Sequence, residues 1–112
     1  MIQDNNLKVS SEHPINKGFA KEDKIVPGFE YDHYAIKPGK AAQTVLEDKQ
    51  GNSVVLAGEL GKGRLVYNGT LPGCYAPWNT PEEMKKGELK GKELDLLVNT
   101  VKWLANDGKK QD

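Results

Sequence analysis

Arginine occurs once in this chain, at Arg64, although sixteen of its 112 residues are basic. Arginine supplies the planar fork that grips phosphate and guanine bidentately. Sixteen acidic residues bring the formal charge to zero, so no field steers the protein toward a polyanion. Nucleic acid is therefore not an expected partner. Cysteine also occurs once, at Cys74, which excludes an internal disulfide framework. The longest apolar stretches, such as Val54-Val55-Leu56-Ala57, fall far short of the roughly 20 residues that span a bilayer. A membrane partner is not expected either. The opening MIQDNNLKVSSEH has no basic segment leading into an apolar one, so it does not read as a secretory leader, and the cytoplasm is the favoured compartment for the chain as given. Histidine is scarce as well, at His13 and His33 only, and with one distant cysteine these give no metal-ligand spacing. No metal or cofactor is expected.

The length suits one domain with one modest core. Residues 1–12 are polar apart from Ile2, Leu7 and Val9 and read as a flexible lead-in that seeds no core. His13 to Phe19 reads as a turn-rich loop anchored by Ile15 and Phe19, because Pro14 holds His13 extended and Gly18 permits a reversal. Alternation and aromatics predict a strand over Phe29–Ile36. Further strands are expected at 44–47, 53–59 and 64–68. The last two are joined by Leu60-Gly61-Lys62-Gly63, a tight hairpin. Thr80-Pro81-Glu82-Glu83 carries the signature of a helix start. Leu94, Leu97, Val98, Val101 and Leu104 then define a helical stripe expected to cover the sheet, with Trp103 at its edge. Residues 108–112 read as a disordered tail. The fold class is thus α+β: antiparallel strands and a hairpin with a C-terminal helix.

Four motifs invite chemistry, and each has a plainer explanation. Gly58, Gly61, Lys62 and Gly63 do not form a phosphate loop, since the lysine is followed by glycine and a strand where a hydroxyl residue and a helix are needed. Cys74 could be a nucleophile, but no base is local, so it reads as an inert thiol. Asp32 and His33 adjoin on a strand and face opposite sides, which leaves His33 as a histidine at the edge of the core. Asn68-Gly69-Thr70 matches a glycosylation sequon but serves better as the turn ending the fourth strand. The loop that follows, TLPGCYAPWN, presents Tyr75 and Trp78 on a segment stiffened by two prolines, an arrangement suited to stacking on sugars or partner side chains.

The succession HPINKGF, FEYDHY, GNSVVLAGELGKGRLVYNGTLPG and ELDLLVNTVKWLAN resembles the C-terminal half of class I glutamine amidotransferase-like domains, and within them the ThuA-like (trehalose utilisation) branch. The resemblance covers residues 13–107. It implies the C-terminal part of a flavodoxin-like α/β fold whose parallel sheet and nucleophile belong to an N-terminal half outside this sequence, supplied by a longer protein or a partner chain. Where the family tends to carry Asp-Glu-x-Tyr, this chain keeps only Asp32 and Tyr34. Where the family tends to carry Gly-His, this chain has Thr70-Leu71-Pro72-Gly73-Cys74. Cys74 does not fall in the amidotransferase nucleophile motif. The resemblance thus implies a non-catalytic structural or ligand-binding segment, with Asp32, Tyr34, Thr70, Gly73, Cys74, Tyr75 and Trp78 lining one wall of a cleft for a small polar or sugar ligand. Two alternatives stand beside it: part of a ThuA-like enzyme acting on sugars, with its catalytic groups elsewhere, and a stand-alone protein-interaction module.

Overall fold

The computed structural model describes residues 6–26, 33–71, 80–84 and 91–105. Strands β1 (Leu7–Val9), β2 (Lys24–Ile25), β3 (Ala42–Asp48), β4 (Ser53–Leu60) and β5 (Gly63–Asn68) form one sheet in the order β2-β1-β3-β4-β5. Every pairing in it is antiparallel. A 3-10 turn at Pro14–Asn16, helix α1 (Pro81–Met84) and helix α2 (Gly91–Ala105) complete the described elements. The α+β arrangement expected from the sequence, a hairpin in an antiparallel sheet with a C-terminal helix, is the one that forms.

The β4–β5 hairpin follows directly from its turn. Gly61 has φ of +59°, and glycine in the left-handed region at the first central position of a two-residue turn matches the twist of the flanking strands. β3 and β4 are less regular. Their register shifts on either side of Leu46, leaving Val45 and Val54 as extra residues. In a regular strand two consecutive side chains cannot both enter one core, yet Val45 with Leu46 and Val54 with Val55 are all 0% exposed. The bulges reconcile the two. The carbonyl of Val45 accepts from the Ser10 N–H at 3.0 Å and from Asn16 Nδ2 at 3.1 Å, which ties the 3-10 turn onto the sheet.

The flexible lead-in expected over residues 1–12 is corrected by β1 in its described part, residues 6–12, while residues 1–5 lie outside the described residues. Leu7 and Val9 are 2% and 0% exposed, and Leu7–Val9 lies between β2 and β3. Three residues bury this well because both edges of the strand are paired and Lys8, which points out, binds Glu22 and Glu47 at 3.2 and 3.3 Å. The strand expected over Phe29–Ile36 is corrected in its described part. Residues 33–36 run alongside the sheet through single bonds, Tyr34 N–H to the Gly69 carbonyl and Ile36 N–H to the Ser53 carbonyl, without forming a ladder. Residues 29–32 and the tail 108–112 lie outside the described residues.

Helix α2 covers the sheet with a different side from the one expected. Leu96, Thr100 and Trp103 are buried together with Glu93, whereas Leu94, Val98, Val101 and Leu104 are 38–58% exposed. Thr100 can sit inside because its hydroxyl donates to the Leu96 carbonyl of its own helix at 2.8 Å. On the flank of α2 away from this stripe, Asn99 Nδ2 donates to the carbonyls of Ile15 and Lys17, both at 3.0 Å. Trp103 is central to the buried side, with Arg64 over its ring at 4.7 Å and His13 edge-on at 4.9 Å. Truncating Leu96 to alanine should accordingly cost about 2–5 kcal/mol. Val101→Lys should change stability by no more than about 0.5 kcal/mol, and urea unfolding of the two variants measures the contrast.

Candidate functional site

By strand alternation Leu56, Gly58 and Leu60 of β4 share a face with their neighbours Tyr67 and Leu65 of β5. The other face carries Val66 and Arg64 toward α2. Residues 36–42 cross the first of these faces. They leave a groove of about 360 Å³ floored by Leu56 and Gly58, walled by Ile36, Leu65 and Tyr67, and rimmed by Lys37, Lys40 and Glu59. The crossing is close: a Cβ on Gly58 would lie 2.9 Å from the Ala41 carbonyl oxygen.

Two of the residues proposed for a ligand wall, Tyr34 and Thr70, are described; neither lines this groove, and Tyr34 adjoins it through Tyr67, which does. Tyr34 is 43% exposed. Its N–H donates to the Gly69 carbonyl at 2.8 Å and its own carbonyl accepts from the Tyr67 hydroxyl at 3.3 Å. Thr70, adjoining Gly69, is 3% exposed, and both its N–H and its hydroxyl donate to Asn68 Oδ1, at 2.9 and 2.6 Å. That bond makes Asn68-Gly69-Thr70 the turn that ends β5, as expected, and commits the threonine hydroxyl to the turn itself. Asp32, Gly73, Cys74, Tyr75 and Trp78 lie outside the described residues. The structure thus brings Tyr34 and the Gly69–Thr70 turn together beside a largely apolar groove with cationic side chains at its rim. Such a surface can receive the apolar side of a ring and hold polar substituents at its edge.

Sequence reasoning missed a buried polar pair beneath this region. His33, expected at the edge of the core, is 0% exposed, and its Nε2 lies 2.9 Å from Asp48 Oδ2. Asp48 closes the β3–β4 turn: Oδ1 accepts from the N–H groups of Gln50 and Asn52, and Oδ2 also accepts from Asn52 Nδ2. Burial pushes the Asp48 carboxyl up, but the bonds from the Asn52 side chain, His33 and the backbone amides of Asn52 and Gln50 outweigh it and hold the group below its ordinary value. A carboxylate that accepts at Oδ2 requires the imidazole proton on Nε2. Among the described residues His33 Nδ1, also buried, has no hydrogen-bond partner. The aspartate opening the turn Asp48-Lys49-Gln50-Gly51-Asn52 was the available signal, since aspartates at such positions bond the amides that follow.

The second histidine is structural too. His13 Nδ1 accepts from the Ile15 N–H at 3.1 Å and starts the 3-10 turn. Burial, with the Arg64 charge adding to it, holds His13 below its ordinary value. Among the described residues no group of three His, Cys, Asp or Glu side chains is placed to hold a metal ion. No helix of the described residues is long and apolar enough to cross a membrane. Comparison with protein-family models, curated proteins and solved structures finds no match to this chain.

Proposed function

We propose that this chain is a non-catalytic structural and ligand-binding segment of a class I glutamine amidotransferase-like domain of the ThuA-like branch, contributing one wall of a cleft for a sugar or another small polar ligand. The flavodoxin-like context, with its parallel sheet and any nucleophile, belongs in this reading to another segment or a partner chain. The observation that carries it is the outer side of α2. A helix that buries Leu96 and Trp103 against the sheet while presenting Leu94, Val98, Val101 and Leu104 outward has the apolar pattern of a helix lying between two layers. The ligand wall takes its support from the bond of Tyr34 to Gly69, next to Thr70, and from the contact of Tyr34 with Tyr67, which lines the groove.

Titration of the chain with a panel of mono- and disaccharides, followed by amide chemical shifts, tests the ligand half of the proposal. Saturable shifts should appear at Tyr34, Tyr67, Gly69 and Thr70 and extend into residues 72–78. A panel that moves none of these amides removes the sugar-binding reading.

A further inference from the structure

We propose that the free edge of β5 pairs with β5 of a second copy of this chain, antiparallel about a two-fold axis at Val66. A two-residue turn closes on a hydrogen-bonded pair, here Leu60 and Gly63. The bonded positions of β5 toward β4 are then Gly63, Leu65 and Tyr67, a parity continued by the Gly69 N–H bonding the Val54 carbonyl at 2.9 Å. The N–H and carbonyl groups of Arg64, Val66 and Asn68 therefore point away from the sheet, and none of the described residues bonds to them.

Sheets protect such edges by shortening them or by placing lysine, proline or a bulge on them. The opposite edge, β2, is two residues long and carries Lys24. β5 has six residues in unbroken register with β4, no proline and no lysine. Its one charged side chain is turned inward, with Arg64 Nη1 donating to the Trp103 carbonyl at 2.6 Å. The unprotected edge is also self-complementary. With Val66 on the axis, Val66 meets Val66 of the second copy, Arg64 meets Asn68, and Leu65 meets Tyr67. No like charges oppose each other, the favourable aliphatic–aromatic pair occurs twice, and Leu65, 59% exposed in one copy, is covered by a ring. The formal charge of zero sets no long-range repulsion against association.

Sedimentation velocity from micromolar to near-millimolar concentration, with amide hydrogen exchange at both ends of that range, tests the inference without altering the protein. A dimer fraction should rise with concentration. Exchange at Arg64, Val66 and Asn68 should slow at least about tenfold while Gly63, Leu65 and Tyr67, already bonded to β4, change little. Leu65→Asp should weaken the dimer at least about tenfold, and Leu94→Asp, on the exposed side of α2, should leave it unchanged. A monomer throughout, a dimer with unchanged exchange at the three outward amides, or a dimer lost with Leu94→Asp but not with Leu65→Asp overturns it. The inference does not rest on sugar binding, and failure of the saccharide titration leaves it standing.

Discussion

Replacing Gly69 with alanine should destabilise the protein by at least about 3 kcal/mol, more than other single-methyl additions in the described residues. A Cβ at Gly69 would lie 1.8 Å from the Tyr34 carbonyl oxygen and 2.9 Å from its carbon. Both are backbone atoms, so no side-chain rotation relieves the overlap. Segment 33–36 would have to move as a unit. That movement breaks the bond from the Tyr34 N–H to the Gly69 carbonyl and pulls on His33, which is fully buried in its pair with Asp48. Two other glycines calibrate the effect. At Gly58 the nearest obstacle is the Ala41 carbonyl oxygen at 2.9 Å, and at Gly39 nothing lies within 4 Å. Gly58→Ala should fall between the two, and Gly39→Ala should stay within about 0.5 kcal/mol of the parent. Urea midpoints at constant slope rank the three variants. A Gly69→Ala midpoint equal to that of Gly39→Ala would mean that the 33–36 segment does not lie against the turn, and the candidate ligand wall would go with it.

How much of this was legible in the sequence depends on how local each cause is. β3, β4, β5 and their hairpin announce themselves because Gly61 and the apolar run of β4 act within a few residues. β1 does not, since Leu-Lys-Val among polar neighbours becomes a strand only through partners far along the chain, Leu7 opposite Asp48 and Val9 opposite Leu46. The buried side of α2 was hidden by a more specific conflict. Its Leu and Val residues favour one side, but the side carrying Trp103 is taken up by Arg64 and His13, and Thr100 conceals its polarity within the helix. Composition along a helix records which sides can be buried, and the elements already packed against it decide which one is.

The candidate site divides in the same way. Tyr34 could be named only through the family resemblance and Thr70 as the first residue of the proline-stiffened loop, and the structure places Tyr34 against Gly69, next to Thr70. The groove could not be read, since it exists only where residues 36–42 cross Leu56, Gly58, Leu65 and Tyr67. Nor could the His33–Asp48 pair, whose members are fifteen residues apart and meet only after β3 and its bulges have formed.

That pair sets the other large expected effect. Asp48→Asn replaces one acceptor oxygen with an N–H₂ group that faces two donors, Asn52 Nδ2 and His33 Nε2. The Asn52 amide can turn over to offer its oxygen. His33 can accept only with its proton on Nδ1, where the described residues supply no hydrogen-bond partner. Each arrangement leaves a buried donor unsatisfied, and the variant should lose about 2–4 kcal/mol. Imidazole ¹⁵N shifts should report an Nε2-protonated ring in the parent and a changed tautomer in the variant. In a His33→Phe background the same change should cost at least about 1 kcal/mol less, because the opposing donor is gone. The pH dependence follows from the lowered Asp48 value. A carboxyl held below its ordinary range in the folded state contributes stability that is fully present above roughly pH 4 and is lost as the pH falls through the folded value. The parent's advantage over Asp48→Asn should therefore be constant near neutrality and shrink on acidification below about pH 4. A difference that stays constant through that acid range would show that the carboxylate charge contributes nothing, leaving only the loss of turn bonds to separate the two proteins.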